Sequence, residues 1–162
     1  MKRFAGMLVW MGASVATAGC APADVSGVYS VTVTDGANGC SVPGLTPGNS
    51  SSNIPFTITQ SGASVTGTVG GTAAIGYGLI FGGNTFTGTV AGQHVDMTIN
   101  GTVPQSQNGC TFTWQATASG DLAGNALQGT ITYRALTTSA PACSTLMTCM
   151  SLQQFVGSRP PR

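Results

Sequence analysis

From Phe86 to Tyr133 the chain keeps placing an apolar residue at every second position, with threonine commonest in between. Phe86 and Val90 share one parity, and so do Val95, Met97 and Ile99. The same holds for Phe112, Trp114 and Ala116, and then for Leu127, Ile131 and Tyr133. A period of two is what a strand with one buried face requires; a helix would bring its apolar residues back every three or four. The chain therefore reads as all-β and antiparallel, with strands near 27–34, 54–60, 63–70, 85–90, 93–101, 110–118, 126–136 and 150–157. Ser61-Gly62, Ala91-Gly92 and the stretch 119–125 read as turns, and 35–53, 102–109 and 137–149 as loops. The stretch 71–83, with its core AAIGYGLIF, fits either an extra strand or an apolar flap, and 144–156 has room for a short turn of helix.

Three segments repeat one pattern of apolar, polar, glycine, threonine and β-branched or apolar residue: 65–69, 86–90 and 127–131. In each the glycine shares a face with the apolar pair, so Gly67, Gly88 and Gly129 point inward. A glycine inside a strand marks strong bending or close backbone approach, which suits a tightly coiled sheet closing on itself. Eight strands joined mostly by hairpins predict an up-and-down barrel, with a β-sandwich as the alternative.

In such a barrel the three short turns lie at one end with the amino terminus. The four longer connections, and with them Cys40, Cys110, Cys143 and Cys149, lie at the other. Cys40 leaves the first strand and Cys149 enters the last, and these two strands pair when a barrel closes. That favours Cys40–Cys149 with Cys110–Cys143; Cys40–Cys110 with Cys143–Cys149 stays open as the alternative. On the same phasing Phe56, Phe86, Met97, Phe112, Trp114 and Tyr133 face inward. They either fill the interior or line a pocket, since an eight-stranded barrel can do both.

Charge is scarce. After the first 19 residues the chain carries Arg134, Arg159 and Arg162 against Asp24, Asp35, Asp96 and Asp121. No basic patch is present to neutralise a phosphate backbone, which argues against nucleic-acid binding. His94 is the single histidine, and no Gly-x-Ser-x-Gly elbow accompanies the many serines. The expectation is a chain with no catalytic residues, metal or cofactor.

The amino terminus supplies an address. Met1-Lys2-Arg3 precedes an uncharged, apolar or small run to Ala18, the layout of an export signal covering 1–19. The sequence Thr17-Ala18-Gly19-Cys20 resembles the lipobox of bacterial lipoproteins. That resemblance implies cleavage before Cys20, acylation of its sulfur and new amino group, and a short tether, 20–26, from membrane lipid to the domain at 27–157; an ordinary secretory signal is the other reading. Ala21 in place of an aspartate favours the outer membrane. The tail 158–162, with two prolines, is expected to fray.

Gly27-Val28-Tyr29 opening the first strand, the meander and the last hairpin together resemble the lipocalin-like, or calycin-like, small barrels. Tyr29 stands where those proteins carry the tryptophan that plugs the closed end. The resemblance implies one plugged end and one mouth, here the cysteine-bearing end, with 71–83 as its flap. Two functions follow as expectations. The first is a non-enzymatic, lipid-anchored envelope protein with a filled or nearly filled barrel and a structural or interaction role. The alternative is a carrier of a small apolar ligand.

Overall fold

A computed structural model describes residues 21–138 and 140–161; the signal segment and Cys20 lie outside them. The elements are β1 (Gly27–Asn38), β2 (Ser50–Ser61), β3 (Ser64–Val69), α1 (Gly71–Phe81), β4 (Thr85–Ala91) and β5 (His94–Asn100). They continue with β6 (Gln105–Gln107), β7 (Cys110–Ala123), β8 (Ala126–Thr137), a 3₁₀ turn (Pro141–Cys143), α2 (Ser144–Met147) and β9 (Ser151–Ser158). Each of eight strands pairs antiparallel with the next, β1 pairs with β9, and β5 pairs with β7. The ring is thus a closed eight-stranded barrel, and β6 is a short extra strand folded back on β7. Closure removes the free edges that a sandwich would leave.

The inward parity is the one the alternation predicts. Along β7 every second residue from Cys110 to Leu122 is buried, and the residues between are exposed or half-buried. β7 runs to Ala123, beyond the expected end near 118. Residues 119–123 look like a turn in sequence, but all five pair with β8, and 119–121 pair with β5 as well. The true turn is Gly124-Asn125. Like Gly62 and Gly92 in the other two hairpins at this end, Gly124 has φ near +60°, which a β-carbon resists. β1 and β2 also continue past 34 and before 54, so the loop between them is shorter than 35–53.

Residues 21–26, read as a tether, are bound to the barrel for most of their length. Val25 is fully buried, its N–H donates to Gln60 Oε1 at 2.8 Å, and the Ala23 N–H donates to the Gly92 carbonyl at 2.7 Å. Tyr29 is buried beneath them and donates its hydroxyl hydrogen to the Val25 carbonyl at 2.8 Å. The carboxyl-terminal tail is held too, at least at its start: the Arg159 N–H donates to the Asn125 carbonyl at 3.0 Å. This end of the barrel is plugged.

The stretch 71–83 is neither strand nor open flap but a helix, α1, laid across the opposite end. Ala73, Tyr77, Ile80 and Phe81 recur at helical spacing and face the barrel. Ile75 and Leu79 are apolar as well but lie on the outer side. Gly82, at φ +79°, stops the helix and donates its N–H to the Gly78 carbonyl. Among the described residues no helix is long and apolar enough to cross a membrane.

Candidate functional site

Beneath α1 the barrel holds an apolar cavity of about 70 Å³. Val31, Val33 and Ile54 form one wall, Val69, Phe86 and Met97 another, and Leu127, Ile131 and Phe155 a third. Phe56 and Ala118 complete the chamber, and Ala73 and Tyr77 roof it. The lining is almost wholly apolar, so water finds few partners there.

A second, outer cavity of about 210 Å³ lies between α1 and the loop after β1. Its walls are Val42, Pro43, Gly44 and Leu45 from the loop after β1, Gly76, Ile80 and Phe81 from α1, and Ser51, Tyr133 and Gln153 from strands. The two cavities share Val33, Ile54, Ala73 and Tyr77, so they stand back to back with the Tyr77 ring between them. The outer one opens at the cysteine-bearing end, next to Cys40.

Tyr77 is fixed by stacking on Phe81 at 5.3 Å between centroids and by an edge contact with Phe86 at 5.7 Å. Its hydroxyl lies 3.0 Å from that of Tyr133, which donates to Gln153 Oε1 at 2.5 Å. Gln153 Nε2 donates to Asp35 Oδ1 at 2.6 Å. Burial holds both phenols above the ordinary tyrosine range, Tyr133 well above it, so both keep their protons at neutral pH.

The residues expected to line a pocket divide. Phe56, Phe86 and Met97 line the inner chamber and Tyr133 the outer cavity. Phe112 and Trp114 line neither; they meet edge to face at 5.0 Å and are buried on the face that begins at Cys110. The space beneath α1 is bordered by the first group, and of the buried face of β7 only Ala118 reaches it. Tyr77 was hidden within an ambiguous stretch. Gln153 and Asp35 give no sequence signal, because a lone glutamine in a strand and an aspartate after one usually face water.

Four cysteines form Cys40–Cys149 and Cys110–Cys143, both at the mouth end. Asn38 organises the loop beside the first. Its Oδ1 accepts from the Val42 N–H and the Ser151 hydroxyl, both at 2.8 Å. Its Nδ2 donates to the carbonyls of Val42 at 3.1 Å and Leu45 at 2.8 Å. All four hydrogen-bonding places of the amide are used. The disulfides mark an oxidising, extracytoplasmic environment.

His94 lies on the outer face, away from both cavities. Its Nδ1 is 2.8 Å from Asp121 Oδ1, and its Nε2 is 3.2 Å from Ser119 Oγ and 3.3 Å from Asp96 Oδ2. The Asp121 hydrogen bond raises its pKa above the ordinary value; desolvation opposes this, and the nearby charges of Asp96 and Asp121 add to it. The order of groups is that of a nucleophile, base and orienting acid. Ser119 sits in mid-strand with ladder partners on both sides, and the group bridges β5 to β7 across the closing seam. Among the described residues no cluster of three His, Cys, Asp or Glu could hold a metal.

No family model, curated protein or solved structure matches the chain.

Proposed function

We propose that this protein is a non-catalytic carrier or receptor for one small apolar ligand, held in the barrel beneath α1. The observation that carries this is the apolar chamber set beside the outer cavity. A barrel evolved only for rigidity gains nothing from an unfilled core. Two adjoining spaces that share Val33, Ile54, Ala73 and Tyr77, approaching together the ~300 Å³ at the low end of small-molecule sites, suit an occupant. We prefer this reading to the purely structural one.

The protein would work in the cell envelope, anchored by acylated Cys20, in the outer membrane where Ala21 favours it. Ala23 is pinned at the plugged end, so an anchor attached ahead of it would tether that end. The mouth would then face away from the anchoring membrane. Native mass spectrometry of the protein released from its own membranes tests both halves. An acylated amino terminus and a reproducible small bound mass are expected. An unacylated terminus overturns the anchor. A bare protein that also takes up no apolar dye overturns the carrier.

A further inference from the structure

The proton inventory of the mouth specifies the head of the ligand. A phenol has one hydrogen. Gln153 must turn Nε2 toward the Asp35 carboxylate, which leaves Oε1 facing Tyr133. The Tyr133 hydrogen therefore goes to Gln153, and the 3.0 Å contact between phenols must use the Tyr77 hydrogen. Both phenolic hydrogens are used, while the Tyr77 oxygen keeps its acceptor lone pairs and Tyr133 keeps one. The side-chain donors left on the lining are the second Gln153 N–H, beside the Asp35 charge, and the exposed Ser51 hydroxyl. Among the described residues no cation lines the outer cavity: neither Arg134 nor Arg159 is among its walls.

An anionic head entering here would meet surplus acceptors and a neighbouring carboxylate, with nothing positive to offset its lost hydration. A hydroxyl fits, because it can donate to a phenol oxygen and accept from Gln153 at once. Its chain would pass the Tyr77 ring into the apolar chamber. Building on the carrier reading, we infer that the ligand is a neutral, single-chain alcohol whose hydroxyl sits among Tyr77, Tyr133 and Gln153, and that fatty-acid anions are rejected.

The test is displacement of N-phenyl-1-naphthylamine from the mature protein at pH 8 by 1-decanol, methyl decanoate and decanoate. The three share a chain length and differ in donor and charge. The expected order is decanol, then ester, then carboxylate, with decanol about tenfold tighter than decanoate and about threefold tighter than the ester. Gln153→Leu removes the acceptor of the Tyr133 hydrogen and so frees a donor at the mouth; there the ester should draw level with the alcohol. Decanoate or ester binding the wild-type protein as tightly as decanol overturns the inference and leaves the carrier reading standing. No uptake of dye or of any competitor overturns both.

Discussion

The guanidinium carbon of Arg159 lies 5.5 Å from the centre of the Tyr29 ring, at the end of the barrel opposite α1. The same side chain donates through Nη2 to the Asp24 carbonyl at 2.8 Å and through Nη1 to the Ser26 carbonyl. One arginine thus sews the amino-terminal plug, the first strand and the end of β9 together. Arg159→Ala removes two charge-assisted hydrogen bonds and a cation–π contact, and should lower stability by about 2–3 kcal/mol. Arg159→Lys should recover less than half, since an ammonium lacks the planar fork that reaches both carbonyls. Urea denaturation midpoints at unchanged slope measure both.

The three inward glycines should not be equivalent. A β-carbon at Gly88 would run into the Asp96 carbonyl, and one at Gly129 into the Ser119 carbonyl. Both obstacles are backbone of a neighbouring strand in a closed ring, so neither can step aside. Alanine there should cost about 3 kcal/mol or abolish folding. At Gly67 the obstacles are side chains, the tip of the Phe56 ring and Met97 Sδ at 3.0 Å, which border the empty chamber and can shift. Gly67→Ala should cost about 1 kcal/mol while weakening uptake of apolar dye, because the displaced ring moves into the cavity.

His94 makes stability depend on pH in one direction. Its pKa is raised in the fold, chiefly by the hydrogen bond to Asp121. The stabilisation is therefore fully present below the unfolded value of about 6.5 and is lost as pH rises through the higher folded value. Protonation also changes what Nε2 does: neutral, it accepts from the Ser119 hydroxyl; charged, it donates to Asp96. Urea midpoints should fall from pH 6 to pH 9 in the wild type and stay flatter in His94→Gln. A wild-type midpoint that rises over that range would contradict the assignment.

The barrel was legible because each strand buries one face, and alternation records that directly. Residues 119–123 misled because glycine, serine and aspartate are turn formers; strand pairing overrides that preference. α1 was illegible for a different reason. Its inner face, Ala73, Tyr77, Ile80 and Phe81, has helical spacing, but Ile75 and Leu79 are apolar too and erase the contrast between faces. Phe56, Phe86 and Met97 could be assigned to the interior by parity. Parity cannot show that Phe112 and Trp114 fill their side while Phe86 borders a void, because packing is set by residues distant in sequence.

The outer cavity should depend on Asn38 and on one disulfide far more than on the other. Val42 and Leu45 form its wall, and Asn38 holds both by their backbones. Asn38→Asp turns the two donated bonds into two carbonyls facing a carboxylate oxygen, a loss of about 2–4 kcal/mol confined largely to this loop. Removing Cys40–Cys149, which spans 109 residues, should lower global stability by up to about 5 kcal/mol, and removing Cys110–Cys143, which spans 33, by up to about 4. The two losses are similar, but only Cys40 adjoins the cavity wall. Hydrogen exchange at the Val42 amide should therefore quicken in Asn38→Asp and in the Cys40→Ser/Cys149→Ser double variant, with dye affinity falling in parallel. In Cys110→Ser/Cys143→Ser both readouts should hold under conditions where the barrel stays folded. Equal loosening of the Val42 amide in both cysteine variants would mean that the wall follows global stability rather than its own local bonds.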